Sequence, residues 1–434
     1  MQSYRLSKGR LSDSDLSLPR GIRDIEPEEY ILQTRVRRAF EEVASLFNFR
    51  MMEPAPLEHM SILRAKSGTE VDKEIYAFKD KGGREVGLRF DLTVGMTRYV
   101  CSRRDLKPPV KLASLAGSWR YDEPQHARYR WFRQWDLEIF GPPSLEADAE
   151  VMEATYRLFE RLGLEGFSVQ VGDRKTVQHF VNNVLGIKEN ERAVDIMRAL
   201  DKVQKKSLPE LRAEYAQKGF KPEDISRLFE FGSISGPPEK VLSKLSETKV
   251  ESPTLQSLAD MMRGRGVEVE FNLGVVRGID YYTGVVFEVV DKTHSDLGSL
   301  AGGGRYDVLP VAFGRPDLFA TGAAGGMERI ALSLSKTGVG RSMLVYVAVA
   351  DKMALVESYR VLRELRSNGL PAESSLVEKA LAKQLEDANR MGASWVVILG
   401  QKEIQAAKVT LRDMASRTEE MIPLATAIDR LVRV

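Results

Sequence analysis

Apolar residues recur at spacings of three and four once the chain has passed its polar first 17 residues. The recurring positions from residue 28 onward are Val36, Phe40, Val43 and Phe47. This spacing predicts an amphipathic helix, and Pro54 and Pro56 bracket an extended piece after its end. Residues 1–17 are rich in Ser and Asp and predict a flexible N-terminal arm.

Two later stretches alternate apolar and polar residues with a period of two, which is the periodicity of a β-strand. In residues 84–93, the alternating sets are Val86, Leu88, Phe90 and Leu92 against Gly87, Arg89, Asp91 and Thr93. In residues 131–140, one face carries Phe132, Gln134, Asp136 and Glu138. Such strands predict an antiparallel sheet that presents carboxylates and amides on one face. A polar face that is simply solvated explains the pattern equally well.

Helical periodicity dominates the middle of the chain. It covers most of residues 175–262, with a Gly/Pro-rich break at 232–238. Strand patterns return at 267–273 and 284–290. We therefore predict a helical insertion, about residues 175–262, inside a mixed sheet domain that spans 18–340.

The pattern changes again after residues 336–341. A short apolar strand at 344–349 precedes two amphipathic helices, the second including Val377, and another strand follows at 395–399. Strands that alternate with helices indicate a small α/β domain with a largely parallel sheet. We place the boundary near residue 340, so that this second domain covers 341–434.

Composition narrows the class of protein only modestly. The chain has 434 residues, an apolar share of 43% and a net charge of +2, which fits a globular protein of two or three domains. Its apolar runs are far shorter than the ~20 residues of a membrane helix, and the N-terminus has no signal-peptide core. A single cysteine, Cys101, excludes an internal disulfide and a four-cysteine zinc site. We expect a cytoplasmic protein without a membrane segment.

Stretches rich in arginine and glycine supply the candidate chemistry. The loop within 119–130 is rich in arginine, whose planar fork of donors suits the phosphate of a nucleotide or a nucleic-acid end. A solvated charged hairpin is the alternative for this loop taken alone. The glycines at 302–304 and 325–326 permit close approach of the backbone to a ligand. Arg329, on the helix that follows, could reach a phosphate.

Another block combines a cation, a carboxylate and two aromatic hydroxyls. Its sequence is Arg277-Gly278-Ile279-Asp280-Tyr281-Tyr282-Thr283-Gly284. These residue types suit a small polar pocket. A hairpin with tyrosines in the core is equally consistent with the block taken alone.

Several other chemistries lack their motifs. The four histidines show no metal-ligand spacing: His59, His126, His179 and His294. The sequence contains no GxGxxG fingerprint, no P-loop ending in GK[ST] and no GxSxG elbow. An ATP site in this chain would therefore be of neither Rossmann nor Walker type, and a serine hydrolase is not expected.

Taken in order, these stretches resemble the class II aminoacyl-tRNA synthetases and, within them, the histidyl-tRNA synthetases. The resemblance runs over nearly the whole chain from Leu18, with a departure in motif 1, where the expected proline falls on Ala55. The matching blocks are 28–58 (motif 1), 119–141 (motif 2), 277–284, 301–307 and 322–334 (motif 3). The resemblance implies an α/β fold with an α+β catalytic core, in which an antiparallel class II sheet is flanked by helices. It also implies a C-terminal α/β anticodon-binding domain at 341–434.

The resemblance further implies roles for eleven side chains. Arg277 would be the catalytic arginine, and Arg120 would bind the α-phosphate of ATP and take part in catalysis. Asp122, where relatives usually have Glu, would lie near the adenine, and Arg329 would bind the γ-phosphate side. The amino group of histidine would be held by Asp91 (Glu in many relatives), Thr93 and Gln134. The imidazole would be surrounded by Glu138, Tyr281, Tyr282 and Tyr306.

The implied reaction has two steps and several partners. L-Histidine and ATP, with Mg²⁺, would give histidyl-adenylate and pyrophosphate, and histidine would then pass to the 3′ end of tRNA(His). The resemblance implies a homodimer and assigns no magnesium ligand to the protein. One alternative is a non-catalytic regulatory subunit of ATP phosphoribosyltransferase, which shares the core but usually lacks the C-terminal domain. The other is a class II ligase for threonine, glycine or proline, against which the block at 277–284 argues.

Overall fold

A computed structural model describes residues 16–65, 72–123, 127–202, 206–248, 250–277, 281–336 and 343–433. The chain divides into two compact units, Met1–Gly338 and Val339–Val434. The predicted arm lies outside the described residues except for its last two positions. The predicted boundary near residue 340 lies outside them as well.

The first unit is built on a large sheet with a small sheet beside it. Its strands are β1 (Arg50–Met51), β2 (Leu57–His59), β3 (Ala77–Lys79), β4 (Glu85–Leu88), β5 (Val110–Trp119), β6 (Trp131–Gly141), β7 (Phe167–Asp173), β8 (Ser235–Gly236), β9 (Glu270–Asn272), β10 (Val285–Asp291), β11 (Ser299–Arg305) and β12 (Phe319–Gly326). The large sheet has the order β1-β5-β6-β12-β11-β10-β7-β9-β8, and the small sheet has the order β2-β4-β3. In the large sheet only the β1/β5 and β7/β9 pairs of the described chain are parallel. The predicted antiparallel sheet is thereby confirmed.

Helices cover this sheet. They are α1 (Pro27–Leu46), α2 (Met60–Arg64), α3 (Thr93–Ser102), α4 (Leu145–Leu162), α5 (Arg174–His179), α6 (Asn190–Lys202), α7 (Leu208–Gln217), α8 (Pro222–Gly232), α9 (Pro238–Glu247), α10 (Pro253–Gly264), α11 (Val308–Ala312) and α12 (Met327–Lys336). The predicted N-terminal helix corresponds to α1, whose apolar stripe is buried against α4 and α12. Helices α5–α10 occupy the predicted insertion, and its Gly/Pro break lies between α8 and α9.

The strand predicted over 84–93 is wrong beyond Leu88, where β4 ends. The chain then turns and begins α3 at Thr93. Both alternating sets of side chains are buried from Arg89 to Leu92, including Arg89 and Asp91. The polar face is therefore not a solvated one, and the alternation in sequence does not correspond to a strand.

The second unit contains a five-stranded sheet and, in its described part, four α-helices. These are β13 (Val345–Val349), α13 (Leu355–Ser367), β14 (Ala372–Ser374), α14 (Leu381–Arg390), β15 (Trp395–Leu399), α15 (Gln401–Ala406), β16 (Val409–Asp413), β17 (Glu419–Ile422) and α16 (Leu424–Val432). The strand order is β14-β13-β15-β16-β17, parallel over the first three strands and antiparallel over the last two. The prediction of a largely parallel sheet thus holds for one side only. The predicted second helix is wrong at Val377, because α14 begins four residues later, at Leu381, and the side chain of Val377 is exposed.

Among the helices of the described residues, none combines the length and the apolar character that crossing a bilayer requires.

Candidate active site

A cavity of about 560 Å³ opens on one face of the large sheet. All eleven side chains to which the sequence assigns a role line it. They are Asp91, Thr93, Arg120, Asp122, Gln134, Glu138, Arg277, Tyr281, Tyr282, Tyr306 and Arg329. These residues are up to 238 positions apart in sequence (from Asp91 to Arg329), so the fold alone brings them together.

The acidic end of the cavity consists of Asp91 and Glu138, with Asp136 beneath its floor. All three side chains are almost fully buried, at 3%, 1% and 0% exposure. Glu138 and Asp136 alternate along β6 with residues of the opposite face, as the sequence predicts. Asp91 reaches the same place from the turn before α3, where its Oδ1 accepts the backbone N–H of Val94 at 3.1 Å. Three buried carboxylates in one region favour a positively charged ligand group.

Asp136 is a residue to which the sequence pattern assigns no role, although it shares a strand face with Gln134 and Glu138. Its Oδ2 accepts a hydrogen bond from Thr93 Oγ1 at 3.0 Å. Its Oδ1 accepts one from Gln134 Nε2 at 2.8 Å. The alternation along β6 was the available signal, because it places all three polar side chains on the face that carries the cavity.

Aromatic hydroxyls surround the acidic end. The hydroxyl of Tyr306 donates a hydrogen bond to Glu138 Oε2. Tyr281 stacks on Tyr306 with ring centroids 5.1 Å apart and planes 11° apart, and Tyr282 meets Tyr281 edge-on at 4.9 Å. The pKa of Tyr281 and that of Tyr306 lie well above the ordinary tyrosine value, mainly because both side chains are buried and secondly because the charge of Glu138 is near. Both hydroxyls therefore keep their protons at neutral pH and can act as donors.

The basic end of the cavity consists of Arg120, Arg128, Arg277 and Arg329. Burial, followed by the nearby charges of the other three, lowers the pKa of Arg329. Four guanidinium groups within electrostatic range of each other repel, so a polyanion bound among them would relieve that repulsion. Arginine forks match phosphate oxygens in geometry as well as charge.

Each guanidinium of the basic end has an anchor. Arg120 donates from Nε to the carbonyl oxygen of Phe90 at 2.9 Å, beside Asp91, so it lies where the two ends meet. Arg329 donates from Nη1 to the carbonyl oxygen of Ser299 at 2.9 Å. Arg128 pairs with Asp122 at 2.6 Å.

Arg277 is anchored by Glu288, a second residue that the sequence pattern left without a role. Arg277 Nε lies 2.9 Å from Glu288 Oε1. The three residues that follow Arg277 in its block, 278–280, lie outside the described residues, as do 124–126 in the arginine-rich loop. The Arg277 guanidinium thus pairs with this carboxylate while it lines the cavity, with Nη1 against Gly302.

Two glycines make room for these side chains. A Cβ placed on Gly302 would lie 1.3 Å from Arg277 Nη1, and a Cβ placed on Gly322 would lie 1.6 Å from Glu138 Oε2. Neither distance is compatible with a real side chain, so residue size at these positions, rather than backbone freedom, requires glycine. The sequence predicted that the backbone of the glycine stretches approaches a ligand. At Gly302 and Gly322 the backbone instead approaches the side chains of Arg277 and Glu138.

Glu328 is a buried carboxylate near the basic end and is only 4% exposed. Its Oε1 accepts the backbone N–H of Arg133 at 2.9 Å. Burial raises its pKa to about 7, against the lowering effect of that N–H. The hydrogen bond ties the start of α12 to β6, and no pattern in the sequence indicates the burial that Glu328 experiences.

The sequence is similar to known protein families over both units of the chain. The sequence model of the family described as "Histidyl-tRNA synthetase" matches residues 21–330. A model described as "Anticodon binding domain" matches residues 344–433. The chain is 34% identical over 430 residues to a curated protein of Thermococcus kodakarensis named histidine–tRNA ligase, and the match covers 96% of this chain and 98% of that protein.

Solved structures agree with the sequence comparison. The crystal structure of histidyl-tRNA synthetase from Nostoc sp. PCC 7120 matches with a TM-score of 0.83 and 26% identity, covering 96% of this chain and 99% of that one. A Bacillus halodurans structure, titled as an ATP phosphoribosyltransferase regulatory subunit/histidyl-tRNA synthetase, matches with a TM-score of 0.72 and 24% identity. It covers 88% of this chain and 98% of that one. At that identity the second match shows the fold alone.

Proposed function

Because the chain belongs to the histidyl-tRNA synthetase family, we propose that it is a histidine–tRNA ligase. In the first step the carboxylate of L-histidine attacks the α-phosphorus of ATP; a carboxyl–phosphate bond forms and pyrophosphate leaves. In the second step a hydroxyl of the terminal ribose of tRNA(His) attacks the activated carbonyl carbon, and AMP leaves. Mg²⁺ enters with ATP as part of the nucleotide substrate.

The observation that carries this proposal is the opposite charge of the two ends of one cavity. The acidic end suits the ammonium and imidazole groups of histidine, and the basic end suits a triphosphate. Arg120 lies where the two ends meet, which is where the carboxylate of the amino acid must approach the α-phosphate. A site that activates an amino acid with a nucleoside triphosphate requires these two ends and this junction.

Specificity for histidine follows from the groups that surround the acidic end. Glu138 can accept from an imidazole N–H, and the hydroxyls of Tyr281 and Tyr282 can pair with the other ring nitrogen or hold the ring in place. A buried polar site rejects substrates that leave its groups unsatisfied, by about 10⁴–10⁵-fold in favourable cases. Amino acids without a second polar end would therefore be activated poorly.

Catalysis in this proposal is electrostatic. Negative charge accumulates on the α-phosphate oxygens as the carboxylate attacks, and fixed cations stabilise it without having to reorganise. Arg277 lines the cavity and is paired with Glu288, so it would supply such a cation in a fixed position. Arg120 would hold the same phosphate from the other side, and Arg329 would hold the pyrophosphate that leaves.

We further propose that the second unit binds the anticodon. The match of residues 344–433 to an anticodon-binding domain supports this role. Its net charge gives little additional support, since residues 341–434 contain 14 Lys and Arg against 12 Asp and Glu. Individual basic and aromatic side chains must therefore carry RNA recognition.

A homodimer and a cytoplasmic location complete the proposal. Four apolar side chains of the region that resembles motif 1 are at least 47% exposed, which suits a subunit interface: Tyr30, Ile31, Leu46 and Met51. Light scattering should give twice the chain mass of 48.7 kDa. The mass of a single chain at micromolar concentration would contradict the dimer but would leave the proposed reaction unaffected.

The decisive experiment is amino-acid-dependent ATP–pyrophosphate exchange with each of the twenty amino acids. We expect exchange with histidine and at most background exchange with the others. Exchange with no amino acid would favour the regulatory-subunit alternative, and exchange with threonine, glycine or proline would favour the second alternative. Charging of a tRNA(His) transcript then tests the transfer step separately.

A further inference from the structure

We propose that Asp136 is a positioning residue that turns Gln134 and Thr93 into hydrogen-bond acceptors facing the cavity, and thereby selects a ligand that carries an ammonium group. The inference rests on the proposed function, because the ammonium in question is that of the bound amino acid. Asp136 itself does not line the cavity. It acts on the ligand through two side chains that do.

Asp136 lies on an interior strand of the large sheet, on β6 between β5 and β12. Its register partners are Ser114 on one side and Ala324 on the other. The side chain is fully buried. From this position one carboxylate oxygen reaches the helix that begins at Thr93 and the other reaches Gln134 on its own strand. A single residue thus fixes two contacts that come from different elements.

The chemistry of a carboxylate determines which atoms face the ligand. Oδ1 of Asp136 accepts from Gln134 Nε2 at 2.8 Å, so the donor end of the Gln134 amide points at Asp136. The carbonyl oxygen of Gln134 is the other end of the same planar group. Asp136 therefore settles an amide orientation that would otherwise have two nearly equivalent choices.

The same reasoning applies to Thr93. A threonine hydroxyl has one proton, and Thr93 places it on Asp136 at 3.0 Å. The oxygen then retains its lone pairs for a donor. An ammonium group has three donors and no acceptor. Asp136 leaves the Gln134 carbonyl oxygen and the Thr93 hydroxyl oxygen as acceptors, with Asp91 beside them, and this matches an ammonium group. Without Asp136, the hydroxyl or the amide could turn and present a donor to the same position.

The test exchanges the donor and acceptor within the pair. In Asp136→Asn the new amide brings its own N–H groups, so Gln134 or Thr93 must turn and present a donor to the cavity. In the double variant Gln134→Glu/Asp136→Asn, the new amide at position 136 donates to the new carboxylate at position 134, and a carboxylate oxygen again faces the cavity. Side-chain volume is nearly unchanged in both, and the double variant keeps the total charge.

We expect Asp136→Asn to raise the KM for histidine by about 10–100-fold in pyrophosphate exchange, in line with loss of one or two charge-assisted hydrogen bonds. The kcat and the KM for ATP should change by less than about 3-fold, because the basic end is untouched. The double variant should recover at least about half of the lost affinity on a logarithmic scale. Recovery by a second substitution is not expected of a residue that only supports the fold.

A second ligand separates orientation from general damage. Imidazolepropionate has the ring and the carboxylate of histidine but lacks the ammonium group. Its inhibition constant should be the same, within about 2-fold, for the wild type and for Asp136→Asn. An equal loss for histidine and imidazolepropionate would overturn the proposal and leave Asp136 a structural residue.

The remaining outcomes also decide the matter. A double variant that folds but binds histidine no better than Asp136→Asn contradicts the proposal. A double variant that does not fold contradicts it too, because the exchanged pair must satisfy the same hydrogen bonds. If the wild type shows no histidine-dependent exchange, the proposed function fails instead. If the wild type is active and the Asp136→Asn variant has the same KM for histidine, only the role of Asp136 is contradicted, and the proposed function stands.

Discussion

The acidic and basic ends of the cavity are built in different ways. At the acidic end, side chains bond to other buried side chains: Tyr306 to Glu138, and Thr93 and Gln134 to Asp136. At the basic end, the guanidinium groups are held one at a time by backbone oxygens or single carboxylates, and the Arg277 side chain is 33% exposed. One end is a network that fixes several atoms together, and the other is a set of independent contacts.

In the proposed function the two ends have different tasks. A network with fixed donors and acceptors discriminates between ligands, because any mismatch leaves a buried group unsatisfied. A set of independent cations stabilises charge on a flexible polyphosphate, for which discrimination matters less. We therefore expect substitutions at the acidic end to affect binding of histidine and those at the basic end to affect the rate of activation.

The largest effect should come from Gly322→Ala, which places a methyl group where Glu138 Oε2 now lies. Displacing Glu138 adds strain to the loss of a hydrogen bond with a charged group, about 4 kcal/mol together, or about 1,000-fold in histidine affinity. Isothermal titration with histidine measures this loss. Gly264→Ala is the matched control, since nothing lies within 4 Å of its Cβ position. Normal histidine affinity in Gly322→Ala would mean that Glu138 does not contact the ligand.

Arg277→His should separate rate from binding. Loss of a preorganised cation at the reacting phosphate costs about 3–4 kcal/mol, which slows adenylate formation by about 100–1,000-fold. Histidine affinity should change by less than about 3-fold, because the acidic end is intact. Single-turnover adenylate formation and equilibrium binding measure the two quantities. The control is Arg263→His, on the surface of α10. Equal losses of rate and affinity would show that Arg277 only binds.

The Glu328→Gln variant should change the pH dependence of stability. Burial raises the pKa of Glu328 to about 7, so the unfolded chain ionises at lower pH than the folded chain does. The wild type therefore loses stability as pH rises from about 4.5 to 7, by about 3 kcal/mol at most. Gln at this position carries no charge, so the variant should be more stable than the wild type at pH 8 and show little difference at pH 4.5. Denaturation midpoints measured across this range test it, and a difference independent of pH would contradict the assignment.

The smallest effect should come from Tyr306→Phe, which removes one donor from Glu138 and keeps the stack on Tyr281. A hydrogen bond to a charged group contributes about 1.5 kcal/mol at the lower end of its range, so the KM for histidine should rise about 10-fold. The kcat should remain close to that of the wild type. Tyr346→Phe, in the second unit, is the matched control. A fall in kcat with an unchanged KM would place Tyr306 in the chemical step instead.

The sequence predicted the acidic end well where alternation was simple. Gln134 and Glu138 follow the period of β6, and that strand forms as expected. Asp91 and Thr93 reach the cavity for a different reason, since they belong to a turn and a helix start rather than a strand face. The pattern misled there because the polar side chains that alternate with apolar ones are themselves buried, in a turn and a helix start.

Contacts between distant elements could not be predicted in the same way. Nothing in the sequence indicates that Glu288 would pair with Arg277, or that Glu328 would be buried against the backbone of β6. Such contacts depend on the register between strands and on the depth at which an element packs. Local periodicity records neither quantity.

Every residue that β12 contributes to the cavity wall is glycine or alanine: Gly322, Ala323, Ala324, Gly325 and Gly326. A wall of main chain and two alanine methyl groups has no rotamers, so it cannot yield to a larger substrate, and at most those two methyl groups could be removed to admit one. For protein engineering this makes the site adjustable in one direction only. Redesign for a bulkier amino acid has to begin with the tyrosines opposite, whereas any side chain added to β12 subtracts from the space available.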